Sequence, residues 1–248
     1  MSKKFIGFVC EWGGYTAADL AGFRRVAYPA DLRTIRVECT GRVDPVWMLD
    51  ALIEGAEGAM IIGCPMGDSR HEVGNYRAQE RTRWVAKGLA LAGERPDRVR
   101  TAFLPSEDAE GYARTVQEFS RLLDAFGPLD RSEKGVERLR ALREVFASEK
   151  IRWLVGQGQN VAEDADAFRE KIPPLELDAR IEEVLRDEYR RVRILRGLRR
   201  EPMSVVALAT HLELPAQAVM RDVSDLIGIG RLAIEGHGDP PRFREVAR

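Results

Sequence analysis

Three cysteines, Cys10, Cys39 and Cys64, are the residues of this 248-residue chain whose type and placement could do chemistry. Each closes a short apolar run, over residues 4–10, 33–39 and 58–64. Cysteine thiolates bind zinc and iron–sulfur clusters or exchange with disulfides. Three thiols cannot all pair with each other, and a cytosolic protein keeps them reduced, so a metal or redox role is favoured over a structural disulfide.

The runs that carry the cysteines alternate with amphipathic stretches, and a fourth run covers residues 98–104. This alternation predicts a parallel β-sheet flanked by helices. We expect each cysteine to be the last residue of its strand, so that all three thiols lie at the carboxyl edge of the sheet, where open α/β folds bind ligands. In a flavodoxin-like strand order of 2-1-3-4, the outer two thiols would start roughly 10 Å apart, at ~4.8 Å per strand.

Helix boundaries in the first half have clear local causes. Asp44 followed by Pro45 predicts a helix start, because Asp accepts a free amide of the first turn and Pro fits the first helical position. Gly55, Gly93 and Gly127 predict the ends of three helices.

The amino-acid composition limits the classes of protein to which this chain could belong. Hydrophobic residues make up 44% of the chain and charged residues 32%, as in a soluble globular protein. No apolar run approaches the ~18 residues of a membrane span, and the first strand lacks a signal-peptide cleavage site, so we expect a cytoplasmic protein. The net charge of −1 gives no overall reason to expect nucleic acid as a partner.

Three regions are predicted: an α/β cysteine-bearing domain over 1–127, a helical connector over 128–174, and a smaller winged helix-turn-helix-like docking domain over 175–248. The last region has a long helix, two short helices and a Gly/Pro-tipped hairpin. Its second short helix offers Gln217 and Arg221 but also Asp222 and Asp225. Two carboxylates facing phosphates would repel, so we expect this domain to dock on protein rather than DNA.

The segments CEWGGYTAADLAG, CTGRVDP and GCPMGDSRHEVGNYRAQER together resemble the delta subunit of methyl-viologen-reducing hydrogenase. The resemblance covers about residues 5–126. It implies a small flavodoxin-like domain whose cysteines bind a two-iron two-sulfur cluster. It also implies transfer of electrons to the flavoprotein of heterodisulfide reductase, and relatives serve in electron-bifurcating assemblies.

The chain departs from the family pattern at two cysteines, which are replaced by Gly13 and Ser69. Cys10, Cys39 and Cys64 are retained as the expected cofactor-binding and metal-binding residues. A four-coordinate cluster then lacks one thiolate. The nearby side chains that could supply a fourth ligand are Glu11, Asp68, Ser69 and His71; His71 is the easiest, because imidazole replaces thiolate in some clusters. Three Cys and one His would equally suit zinc, and an adaptor without a cofactor is the other alternative.

These observations predict an electron-transfer or adaptor subunit of a flavin- and iron–sulfur-containing oxidoreductase complex. Its expected partners are a heterodisulfide-reductase-A-like flavoprotein and an electron-donor or acceptor subunit, such as a hydrogenase or dehydrogenase. The sequence has no Ser-His-Asp set, acid–base carboxylate pair or P-loop, so no complete active site of its own is expected. The alternative is a redox- or metal-sensing transcription regulator.

Overall fold

A computed structural model describes residues 4–163, 173–236 and 238–246 of the chain. Contacts within the chain divide it into two units, Met1–Leu177 and Asp178–Arg248, which are described separately below. In the described part of the chain, no helix is long and apolar enough to cross a membrane.

The first unit is built on a four-stranded parallel sheet in the order β2-β1-β3-β4. The strands are β1 (Phe5–Cys10), β2 (Leu32–Val37), β3 (Gly58–Gly63) and β4 (Val99–Phe103). Val9 of β1 pairs with Arg36 on one side and Ile62 on the other. The predicted sheet and its strand order are confirmed.

Six helices accompany this sheet, with the bounds α1 (Gly14–Phe23), α2 (Pro45–Ile53), α3 (Gly74–Leu91), α4 (Ala109–Phe126), α5 (Glu133–Ala147) and α6 (Glu149–Glu163). The predicted start of α2 is confirmed, because the Asp44 side chain accepts from Val46 N at 3.0 Å and Pro45 is the first helical residue. Gly127 ends α4 with a φ of +72°, which glycine adopts without strain.

Both faces of the sheet are covered, so its central strands are apolar throughout. All six residues of β3 are buried. Helices α1 and α4 pack together on one face, where the rings of Phe5 and Phe119 meet edge to face at 5.1 Å. Helices α2, α3 and α5 contact each other on the other face, and Trp84 of α3 is buried there. Burial on two sides holds the carboxyl ends of the strands in fixed positions.

The segment predicted as a connector contains α5 and α6. Helix α5 contacts α2, and Arg143 of α5 bonds Asp50 of α2 at 2.5 Å. Arg152 of α6 forms an ion pair with Asp44 at 2.9 Å. Part of the predicted connector, residues 164–172, lies outside the described residues. Its role as a connector stays a prediction.

The second unit contains α7 (Pro174–Arg200) from Asp178 onward, then α8 (Val205–Leu212), α9 (Ala216–Gly228), β5 (Leu232–Glu235) and β6 (Arg242–Glu245). Strands β5 and β6 form an antiparallel hairpin. Its core joins α7, α8, α9 and the hairpin through residues such as Leu198, Leu208, Val219, Leu232 and Phe243. The helices and the hairpin follow the expected order, and the winged-helix assignment stays a prediction.

Asp222 does not face solvent, so the expectation that it would repel a nucleic acid from the surface of α9 is wrong. Its side chain is 1% exposed and forms ion pairs with Arg190 and Arg191 of α7. Asp225, which is 53% exposed, also pairs with Arg191, at 2.9 Å. Gln217 and Arg221 of α9 are exposed. The unit also exposes large apolar side chains, namely Val206, Met220, Ile227, Ile229 and Ile234.

Candidate functional site

The three thiols lie at the carboxyl edge of the sheet, as predicted. Cys10 is the last residue of β1, but Cys64 directly follows β3, and Cys39 lies two residues beyond β2 at the start of a 3₁₀ turn. The prediction that each cysteine ends its strand is therefore right for Cys10 and wrong for the other two. The reason is that the hydrogen bonds of β2 and β3 to the neighbouring strands end before the cysteine, where the chain turns toward the next helix. All three are buried free cysteines.

Cys10 and Cys64 form a close pair, with their Sγ atoms 3.6 Å apart. Cys10 Sγ also lies 3.8 Å from the Glu38 carbonyl oxygen, which can accept its S–H. Two sulfurs bound to one tetrahedral metal at ~2.3 Å would be about 3.8 Å apart. The pair therefore has the spacing of two ligands of one metal atom, and also that of two thiols in van der Waals contact.

Cys39 occupies a neighbouring position beside the start of α3. A Cβ atom added to Gly74 would lie 2.4 Å from Cys39 Sγ and 3.3 Å from Ser69 Oγ. Cys39 and Ser69, one of the two positions where the family has a further cysteine, thus lie beside the same glycine. Only a residue without a side chain allows this approach.

Gly13, the other replaced family position, lies against Cys64. A Cβ atom at Gly13 would be 3.0 Å from Cys64 Cα and 3.1 Å from the Leu104 carbonyl oxygen. These distances are tighter than ordinary van der Waals contacts, so the backbone at Cys64 and Leu104 would have to shift by a few tenths of an ångström to admit a side chain at position 13.

The candidate fourth ligands take different places. His71 is an exposed loop residue whose backbone N–H donates to Ser69 Oγ at 3.3 Å. The Glu11 carboxylate accepts from Arg36 at 2.5 Å. Among residues 4–163, 173–236 and 238–246, no three His, Cys, Asp or Glu side chains are grouped as metal ligands would be. Metal binding by Cys10, Cys39, Cys64 and His71 therefore stays a prediction.

The donor set of this chain does not fit a cluster held by four cysteines. Such a cluster needs four thiolates, and the sequence has three cysteines. A cluster at this edge would need a ligand of another kind, or one from another chain.

Burial raises the pKa of the Cys64 thiol to about 12, and the adjacent Cys10 adds to the effect. Burial also raises the pKa of Cys39, although the Gly41 N–H that points at its sulfur opposes the shift. Desolvation disfavours the charged thiolate, so both groups are neutral thiols at pH 7. Any metal that binds them must displace these protons.

A pocket of about 340 Å³ opens beside the thiol pair and is lined by Cys64, Trp12, Ser69 and Arg70 among others. The Arg70 guanidinium stacks on the Trp12 ring at 3.8 Å, and Trp12 is 43% exposed. Cys64 is therefore the thiol of the pair that borders an open cavity. Sequence reasoning did not identify Arg70, because a single arginine in a loop has no pattern that distinguishes it.

Further exposed apolar side chains lie in the chain segments next to residues that line this pocket. Met66 lies in the loop after Cys64, and Val73 and Tyr76 lie at the start of α3; each is at least 37% exposed, like Trp12. A Cβ atom at Gly67 would lie 4.0 Å from the Tyr76 hydroxyl, so the loop that follows Cys64 lies next to α3. Aromatic and Met side chains are enriched at protein interfaces.

Comparison with known proteins identifies the family. The profile described as methyl-viologen-reducing hydrogenase, delta subunit, matches residues 5–127. The iron-sulfur D subunit of the F420-non-reducing hydrogenase of Archaeoglobus profundus is 37% identical over 125 residues, which cover 50% of this chain and 91% of the relative. The chain belongs to this family.

Other relatives of this delta-subunit family member differ in length. The vhu iron-sulfur D subunit of the F420-non-reducing hydrogenase from Methanocaldococcus jannaschii is 36% identical over 128 residues, 96% of its length. The A subunit of the ferredoxin/F(420)H(2)-dependent CoB-CoM heterodisulfide reductase of Methanosarcina acetivorans is 35% identical over 124 residues, and the match spans only 16% of that protein. Residues 128–248 lie outside the family match.

Proposed function

We propose that this delta-subunit family member is an electron-transfer or adaptor subunit of a multi-subunit oxidoreductase complex. It would link a donor hydrogenase or dehydrogenase to a heterodisulfide-reductase-A-like flavoprotein. The α/β unit would carry the contact to the flavoprotein, and the carboxyl edge with the thiols would face it.

One observation carries this proposal. In Methanosarcina acetivorans the matching region is about a sixth of the A subunit of a heterodisulfide reductase, whereas in Archaeoglobus profundus it makes up most of a separate hydrogenase subunit. A domain that is joined to a protein in one organism and separate in another is expected to contact that protein in both. The fusion therefore supports a protein like heterodisulfide reductase A as the partner of the α/β unit.

The surface at the thiol edge suits such a contact. Trp12, Met66 and Tyr76 are exposed around the pocket that Cys64 lines. Aromatic anchors of this kind carry a large share of the binding energy in protein interfaces. A partner that covers them would also bring its own redox group close to the thiols and exclude water from them.

The second unit supports the adaptor role rather than a regulator that reads DNA. Direct base readout uses Arg, Lys, Asn and Gln near the start of a recognition helix. Gln217 and Arg221 of α9 are exposed, but α9 and the hairpin also expose the large apolar side chains of Met220, Ile227 and Ile234, which suit a protein contact and not a phosphate backbone. We assign this unit to assembly of the same complex.

Copurification with the heterodisulfide-reductase-A-like flavoprotein of the same organism tests the proposal. The full chain and the flavoprotein are coexpressed and purified without oxygen, and their dissociation constant is measured. We expect Trp12→Ala to weaken binding at least tenfold, because loss of a central aromatic anchor typically costs about 2 kcal/mol or more.

Trp153→Ala is the matched control, because Trp153 is 61% exposed on α6, away from the residues that line the thiol pocket. It should bind as the wild-type chain does. No complex at micromolar concentrations would contradict the proposal. So would a loss of binding in Trp153→Ala that leaves Trp12→Ala unaffected.

The expected cluster or zinc is tested in the same complex by metal analysis and visible absorption. Protein that stays colourless after anaerobic reconstitution with iron and sulfide would refute a cluster on Cys10, Cys39 and Cys64 and leave the adaptor role. A cluster in the complex but not in the isolated chain would place the missing ligand on a partner.

A further inference from the structure

We propose that Cys10 and Cys64 form a reversible disulfide, so that this edge of the sheet takes up or releases two electrons as a dithiol–disulfide pair. The inference rests on the proposed function in that it names the chemistry by which the electron-transfer edge would work. It gives the chain a redox centre built from its own residues alone.

The geometry of the pair carries the inference. The two Sγ atoms are 3.6 Å apart, and an S–S bond of ~2.05 Å requires them to approach by about 1.5 Å. Cys10 ends β1 and Cys64 directly follows β3, and these two strands are hydrogen-bonded neighbours with Val9 paired to Ile62. The strands hold the two backbones side by side, so the remaining approach falls to the side chains.

The loop before α1 packs closely against the backbone of Cys64. A Cβ atom at Gly13 would lie 3.0 Å from Cys64 Cα and 3.2 Å from Cys64 N. Glycine is therefore the residue that fits at position 13 without a shift of the chain that carries Cys64.

Cys39 lies outside the pair, so it is an internal control for whether oxidation is selective for Cys10 and Cys64. Its sulfur lies beside Gly74 and Ser69 at the start of α3, whereas the hydrogen-bonded sulfur contact joins Cys10 and Cys64. We therefore expect oxidation to leave Cys39 as a free thiol.

The oxidant is a small organic disulfide, which reaches the pair through the pocket that Cys64 lines. The sulfur of one cysteine of the pair attacks one sulfur of the small disulfide and forms a mixed disulfide with that half. The S–S bond of the small disulfide breaks, and its other half leaves as a thiol. The second cysteine then attacks the cysteine sulfur of that mixed disulfide and releases the remaining half as a second thiol. The two cysteine protons end on the two released thiols, and the two electrons with them. A dithiol reductant reverses the reaction.

The test uses the full chain, reduced, freed of metal with a chelator, and kept without oxygen. It is incubated with mixtures of reduced and oxidised glutathione until the free-thiol count stops changing, because burial raises the pKa of Cys64 and slows exchange at neutral pH. Exchange is then stopped with acid, the protein is denatured and its free thiols are alkylated with a maleimide near pH 7, and linked peptides are identified by mass spectrometry.

We expect the folded chain to fall from three free thiols to one, with Cys10 and Cys64 in one linked peptide. Cys39→Ser should fall from two free thiols to none with the same link. Cys10→Ser and Cys64→Ser should form no internal link, although each can take up one glutathione. The urea-unfolded chain, treated identically, should give mixed pairings and so show that the fold selects the pair.

Three free thiols in the folded wild-type chain at the most oxidising mixture would overturn the inference. A link that includes Cys39 would overturn it as well. These outcomes use the chain without its partner, so they are independent of the copurification experiment. Binding to the flavoprotein without disulfide formation would refute the inference alone, and disulfide formation without binding would refute the proposed function alone.

Discussion

Gly74→Ala tests whether the close approach of α3 to Cys39 shapes the thiol edge. The new methyl carbon would lie 2.4 Å from Cys39 Sγ, more than 1 Å inside the ~3.5–4.0 Å of an ordinary contact. Rotating Cys39 away from its rotamer costs about 0.5–1.5 kcal/mol, and moving the backbone costs about 1–3 kcal/mol. We therefore expect a loss of about 1–2 kcal/mol in the free energy of unfolding.

Cys39→Ala separates this clash from other effects of the substitution. Without the sulfur, the nearest atom to the new methyl group is Ser69 Oγ at 3.3 Å, the end of a side chain that can rotate. The double variant Gly74→Ala with Cys39→Ala should therefore be about 1–2 kcal/mol more stable than the sum of the two single changes predicts.

The assay is urea unfolding of the reduced chain followed by circular dichroism, with the free energies compared in a double-mutant cycle. Gly22→Ala is the control, because Gly22 lies in α1 and a Cβ there would meet nothing within 4 Å. That change should be neutral or stabilise by up to about 1 kcal/mol. A Gly74→Ala variant as stable as the wild type, or a cycle with no coupling, would refute the reasoning.

Three further predictions follow from charged residues. Asp222→Ala should destabilise the second unit by about 1–3 kcal/mol in urea unfolding, because Asp222 is the buried partner of Arg190 and Arg191, which keep only Asp187 and Asp225, whereas Asp225→Ala should cost about 1 kcal/mol or less. Arg98→Met should cost about 3–5 kcal/mol by the same assay, because Arg98 is 2% exposed and its loss removes the ion pairs to Glu94 and Glu57, of which Glu57 keeps Arg131; equal stability would contradict a structural ion pair there. Hydrogen bonds from Ser132 lower the pKa of Asp130 in the folded state. The ionised carboxylate therefore stabilises the fold at pH values above the pKa of the unfolded state, and this stabilisation is lost as the pH falls through the pKa of the folded state. Ser132→Ala should raise that pKa in an NMR titration; because alanine keeps the backbone N–H bond to Asp130, an unchanged midpoint would exclude the Ser132 hydroxyl as a cause.

The parallel sheet and the shared edge of the thiols could be predicted from the sequence because they depend on local patterns, whereas the strand order 2-1-3-4 rests on the expected flavodoxin-like fold. Apolar runs alternating with amphipathic stretches specify a parallel sheet, and Asp44 with Pro45 specifies a helix start. Parallel strands then place the ends of β1, β2 and β3 on one side, whatever the details of the loops.

The spacing of the sulfurs could not be predicted in this way. An ideal strand spacing gives equivalent positions for Cys10, Cys39 and Cys64, yet the structure pairs Cys10 with Cys64 at 3.6 Å and sets Cys39 beside Gly74. This arrangement depends on how loops and the start of α3 pack, which involves contacts between residues far apart in the chain. The burial of Asp222 against α7 was missed for the same reason.

The sequence by itself determined the family, the parallel sheet and the edge where three cysteines collect, because periodicity and short motifs act over a few residues at a time. The tertiary structure alone decided which two thiols touch, which glycines the loops close upon and which carboxylates are buried. Those outcomes depend on steric fit between distant segments, and steric fit is decided only once the backbones have packed.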